Sequence, residues 1–178
     1  MMTDFIFPLS ILLAAGLDAI VGDPPGLWRP VPHPVVWIGR MIESTERAFN
    51  RGTPSVRRAA GVVSLLLWLA LGIGGTEGLL MLLPHWAAGL LTAVGGGILL
   101  AQRSLADHGR AVADGLEGSL DAGRAAVAQI VGRDPESLDG AGVARAAVES
   151  VAENFSDGVT APLFWFALFG LPGIVGYK

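Results

Sequence analysis

The chain has no cysteine, and its single lysine is Lys178. Without cysteine there is no disulfide framework, no thiolate metal site and no cysteine nucleophile. With its one lysine at position 178 it can hold no G-x-x-x-x-G-K-[ST] phosphate loop, and a lysine-rich nucleic-acid-binding surface is excluded as its main theme. No G-x-G-x-x-G and no H-E-x-x-H occurs, and His33, His85 and His108 are too scattered to predict zinc. Charge is also scarce, at 16% of residues against about 25% in a soluble domain. What is there instead is apolar: 52% hydrophobic residues, a mean hydropathy of +0.55 and 25 glycines in 178 residues. Such a composition is the reverse of a disordered chain and points to a membrane protein.

A spanning helix needs about 20 mainly apolar residues. Residues 59–76 and 78–102 carry no charge and are separated only by Glu77, which predicts a helical hairpin turning at or near Glu77, with Pro84 and His85 weakening the second arm. Residues 5–22 form a third candidate, with Asp18 near its end. It is read as a retained helix, because Met1–Asp4 lacks the basic stretch of a signal peptide. Residues 158–177 form a fourth, which Pro162, Pro172 and four glycines mark as broken or re-entrant. The expected fold is all-α, a polytopic membrane domain.

Two polar segments, 23–58 and 103–157, hold eleven of the twelve Lys and Arg residues. The 59–102 hairpin puts them on one membrane face, and the positive-inside rule makes that face cytoplasmic and the amino terminus external. The expected location is the cell membrane. In the second segment Leu105, Val112, Leu116, Leu120, Val127 and Ile130 recur at helical spacing, with a break at Gly118. Arg133-Asp134-Pro135 then signals a turn, and Ser137 or Asp139 can cap a helix running to Asn154. On that helix Arg145, Glu149, Glu153 and Asp157 form one stripe at four-residue spacing.

A charged stripe can be a solvated face. Here Glu153-Asn154-Phe155-Ser156-Asp157 places two carboxylates, an amide and a hydroxyl directly before an apolar segment, a donor set suited to Mg²⁺ bound to nucleotide phosphates. The other concentration of chemistry lies in residues 18–40. Asp18 should face protein or water rather than lipid. Prolines 24, 25, 30, 32 and 34 forbid regular helix and hold Asp23, Arg29, His33 and Arg40 on a stiff loop.

Leu17-Asp18, Gly22-Asp23-Pro24, His33-Pro34-Val35, Ile38-Gly39-Arg40, Val131-Gly132-Arg133-Asp134, Leu138-Asp139 and the run GVARAAVESVAENFSDGVTAPLFW from Gly142 to Trp165 together carry a resemblance. In these motifs and their order the chain resembles the CobD/CbiB family of cobalamin biosynthesis, integral membrane adenosylcobinamide-phosphate synthases. The likeness covers essentially the whole chain. Members of the family are longer, so the sequence reads as the N-terminal part of a longer protein.

The resemblance implies ATP-dependent amide ligation of adenosylcobyric acid with (R)-1-amino-2-propanol phosphate or the free aminoalcohol. It implies Mg²⁺, a corrinoid partner, membrane lipid around the helices, contact with other enzymes of the corrinoid pathway and no nucleic acid. Within that chemistry we assign Asp23 and His33 as catalytic, His33 as the base that accepts the amine proton. Arg40, Arg133, Arg145 and Asn154 are assigned to nucleotide and phosphate groups, and Glu149, Glu153 and Asp157 to the metal. A transporter or scaffold subunit, with Asp18 and Glu77 marking an ion path, is the competing expectation.

Overall fold

Proline, glycine and small capping residues punctuate the chain into eight α-helices among the described residues. The computed structural model describes the backbone of residues 3–178 other than 23, 25, 27 and 133, with side chains from Pro8 onward. The helices are α1 (Thr3–Ile20), α2 (Pro34–Phe49), α3 (Pro54–Leu82), α4 (His85–Leu99), α5 (Gln102–Gly118), α6 (Leu120–Val127), α7 (Gly140–Phe155) and α8 (Ala161–Tyr177). A π turn, Ser156–Thr160, joins the last two. No strand occurs among the described residues, as the all-α expectation requires. Three helical runs, Pro54–Leu82, His85–Gly118 and Gly140–Tyr177, are long and apolar enough to cross a membrane.

The apolar bundle is built on α1 and α4, which run parallel. Ser10 Oγ donates to the Gly89 carbonyl at 3.3 Å near one end, and the Asp18 carboxylate accepts from the Gln102 N–H at 2.7 Å near the other. Close approach depends on the glycine run between them. A methyl group on Gly96 would stand 2.5 Å from the Phe166 ring and 3.2 Å from Ala14 Cβ. In lipid, where apolar side chains gain nothing by leaving water, such small-residue contacts let helices pack. Ala14, Leu99, Leu100, Phe166, Leu171 and Ile174 form the buried core there.

The expected hairpin turns later than Glu77. α3 passes through that residue to Leu82, and Pro84 stops it: proline has no N–H to continue the ladder and pushes the residue before it into extended backbone. One charged side chain is compatible with a helix; the proline is not. The two arms also part, α3 lying against the last arm of α8 and α4 against α1. A second correction concerns Arg40. Pro34 is the first residue of α2, where its missing N–H costs nothing, so Arg40 sits on a helix and not on the stiff loop.

α8 is two short arms. Gly170 adopts φ 65°, ψ −153°, a conformation open essentially to glycine alone. The chain reverses there, so that a Cβ on Gly173 would run into the carbonyl oxygen of Trp165. The arms 161–169 and 171–177 therefore lie side by side, and the expected break falls at Gly170, two residues before Pro172.

The polar layer has a core of its own, made of Val112, Val127, Val143, Ala146 and Ala147. Leu116 and Ile130 pack at its edge, while Leu120 of the predicted rhythm points outward at 36% exposure. The break at Gly118 is present, and Ser119 Oγ caps α6 by accepting from the Ala122 N–H at 3.1 Å. Asp139 caps α7 through the Gly142 N–H at 2.7 Å.

Candidate functional site

The residues around the α4–α5 turn form a junction that His33 of the first polar segment, Asp18 and Gly158 all reach. Ile98 presents its carbonyl to His33 Nε2 at 3.1 Å, Ala101 lies against Gly158, and Gln102 donates its N–H to Asp18. Asp18 is 4% exposed and acts from α1 as the cap that α5 lacks, since Ala101 has no side chain to offer. The expectation that Asp18 faces protein is met. Gln102 closes the joint by donating its side-chain amide to the Ala15 carbonyl at 3.1 Å.

His33 is held at both ring nitrogens. A carbonyl only accepts, so the Ile98 contact fixes the proton on Nε2, and Nδ1 accepts from the Val35 N–H at 3.2 Å as the cap of α2. Trp28 packs edge-on to the ring, with centroids 4.5 Å apart. In this arrangement the imidazole joins α2 to α4 and has no lone pair free for a substrate proton.

The second half of the site is the end of α7 and the π turn. Wide turns of this kind recur at functional sites. Asn154 Nδ2 donates to the Ser150 carbonyl at 2.8 Å, which turns Oδ1 outward as an acceptor. Ser150 Oγ in turn donates to the Ile130 carbonyl and ties the 128–131 turn to α7. Lys178, at the end of the returning arm, stands near Asp157 and Asp18; burial lowers the pKa of its ammonium, and the two carboxylates oppose that shift.

The predicted stripe is exposed along its length but does not converge. At 1.5 Å per residue, Arg145 lies about 18 Å and Glu149 about 12 Å along the axis from Asp157. One ion cannot be shared by Glu149 and Asp157, so the metal expectation narrows to Glu153 and Asp157. No group of three His, Asp or Glu side chains among the described residues could hold an ion by itself. Arg40 on α2 and Arg145 on α7 are exposed and make no ion pair among the described residues. Asp23 and Arg133 lie outside the described residues.

Between α5, the 128–131 turn and the end of α7 is a cavity of about 420 Å³, lined in part by Ser104, His108, Gln129, Asn154 and Gly158. His108 Nδ1 lies 2.7 Å from the Ser104 carbonyl and so carries the ring proton. His108, Ser104 and Gln129 were not among the predicted site residues. The signal was present: residues 105, 108 and 112 share one helical face, and His108 stands where the rhythm of Leu105 and Val112 calls for an apolar residue. Beside it, Asp107 has its pKa lowered by hydrogen bonds and charge from Arg103, at 2.8 Å, and Arg110, at 3.0 Å.

The chain is 51% identical over 177 residues to cobalamin biosynthesis protein CobD of Sinorhizobium sp, covering 96% of this chain and 54% of the relative. It is 46% identical over 175 residues to the protein of the same name from Rhizobium meliloti, covering 96% and 54%, and 46% over 183 residues to that of Rhodobacter capsulatus, covering 97% and 55%. The chain thus spans about half the length of the curated relatives it matches. No solved structure matches it. The family model described as CobD/Cbib protein matches residues 11–178, and the chain belongs to that family.

Proposed function

We propose that this chain is the membrane-embedded half of a cobalamin-biosynthesis ligase that uses ATP to join the carboxylate of adenosylcobyric acid to the amine of (R)-1-amino-2-propanol phosphate or the free aminoalcohol. The observation that carries the reading is the convergence of His33, Asp18 and Gly158 on the 98–102 junction, in a member of the CobD/Cbib family. A carboxylate does not condense with an amine unaided at neutral pH; transfer of a phosphoryl group to it supplies a leaving group, and the protein's work is positioning and charge neutralisation.

The donors fit a metal that arrives on a nucleotide. Mg²⁺ takes one or two carboxylates and keeps water and phosphate oxygens for the rest, and Glu153 and Asp157 supply that number. When bound, the ion neutralises phosphate charge. Arg40 and Arg145 are free to grip phosphates bidentately, and Asn154 presents an amide oxygen beside the carboxylates. The polar end faces the cytoplasm on the arginine count. The corrinoid reaches it from there, together with any neighbouring enzymes of the pathway, and lipid surrounds α3, none of whose residues is buried.

Purified full-length protein supplied with the corrinoid, the aminoalcohol phosphate and ATP should release phosphate in step with amide. ATP-independent amide formation, or none, refutes the ligase. Asp157→Asn should lower turnover on the order of tenfold or more and raise the Mg²⁺ requirement; unchanged values for both would remove Asp157 from the site.

A further inference from the structure

We propose that the 420 Å³ cavity between α5 and α7 binds the amine-bearing substrate, and that Nε2 of His108 takes the proton this amine sheds as the amide forms. The inference rests on the ligase reading and gives it a subsite.

The two histidines at this end of the molecule are in opposite states. His33 has both ring nitrogens committed, whereas His108 gives its Nδ1 proton to a backbone carbonyl, which fixes the tautomer and leaves the Nε2 lone pair open. A backbone carbonyl holding Nδ1–H is an arrangement that orients the imidazole and fixes its tautomer. The cavity lining adds the Asn154 amide oxygen, the Gln129 amide and the Ser104 hydroxyl, and includes no lysine or arginine among the described residues. A phosphate would find no cation there. An ammonium or amine with a neighbouring hydroxyl finds acceptors on several sides, and 420 Å³ is within the range of small-molecule sites.

The charged groups near the lining residues in sequence are, among those described, Arg103, Asp107 and Arg110 on α5 and Glu153 and Asp157 flanking Asn154 and Gly158; Asp114 and Glu117 on α5 and Arg145 and Glu149 on α7 lie farther along their helices, and residues 128–131 carry none. The carboxylates at the end of α7 draw in a cation, and the Asp107 charge is already met by its two arginines. In the step itself the amine nitrogen forms the C–N bond to the acyl phosphate as the C–O bond breaks. The electron pair leaves with phosphate. The proton released from nitrogen passes to Nε2 and from there to water.

The test uses full-length enzyme and His108→Gln, which keeps a hydrogen-bonding side chain and removes the base. The expected result is a fall in kcat of about 10²- to 10⁴-fold, loss of the acidic limb of the pH profile and an unchanged KM for ATP. Imidazole added to His108→Ala should restore part of the rate. Wild-type kcat and pH profile in His108→Gln overturn the proposal while leaving the ligase intact. If the wild-type protein makes no amide, the ligase reading falls, and the cavity is then judged by NMR: 1-amino-2-propanol should shift the His108 ring resonances, and no shift at saturating amine overturns it.

Discussion

The two buried cores of this chain differ in the size of their side chains, chiefly leucine, isoleucine and phenylalanine in the bundle against valine and alanine in the polar layer. In the apolar bundle, backbones meet through Gly96, Gly97 and Gly173, and the aromatic ring of Phe166 fills the space a methyl would take. In the polar layer valines and alanines form the core, α5 and α6 approach closely at Gly115 and Gly123, and helices begin at side-chain caps, Ser119 for α6 and Asp139 for α7. The difference reports the solvent. Where water surrounds the helices, burial of branched side chains is itself a driving force. In hydrocarbon that force is absent, and association depends on close van der Waals contact and polar joints such as Asp18 to Gln102.

The largest effect that could break this comparison is all-or-none. Since the chain has no cysteine, single cysteines at Ser55 and Ser119 give a clean test, and both should react with a membrane-impermeant reagent from the same side of sealed vesicles. Labelling from opposite sides would separate the two polar segments and dissolve the shared site.

The next effect sharpens the contrast in packing. Gly173→Ala drives a methyl into the Trp165 backbone and should cost about 3 kcal/mol or more, read as loss of monodisperse folded protein in detergent. Gly140→Ala, with open space around it at the start of α7, should be neutral or stabilise by about 0.4–1 kcal/mol. Equal behaviour of the two would show that glycine plays no special part in the bundle.

The smallest concerns caps. Asp139→Ala removes the acceptor for the Gly142 N–H and should lower stability by about 1 kcal/mol in a denaturant titration, with Asp139→Asn near wild type. A cap irrelevant to α7 would leave all three midpoints together.

Much of this architecture was legible because it follows local chemistry. Asp139 before a helical run and the break at Gly118 are each decided within a turn or two of helix. The position of the α3–α4 turn was misread because a charge at Glu77 was given more weight than the missing N–H of Pro84. Pro34 was read as a helix breaker when it starts α2. What a linear pattern cannot carry is the partner across space: that His33 spends its protonated nitrogen on Ile98, sixty-five residues away, decides its chemistry more than its neighbours Pro32 and Pro34 do. His108 was in view as a polar residue on an apolar face, and only the cavity beside it gives that anomaly a meaning.

The reversal at Gly170 also bears on arithmetic. Counting apolar stretches scores 5–22, 59–76, 78–102 and 158–177 as four crossings, an even number. Each arm of α8 holds at most nine residues, about 13 Å at 1.5 Å each, less than half the roughly 30 Å of hydrocarbon, and Lys178 comes back beside Asp157, near where the first arm begins. The 158–177 stretch is therefore a bent pair of arms and not one straight span. A hydropathy count that scores 158–177 as one straight span overlooks this reversal, which a single glycine makes possible.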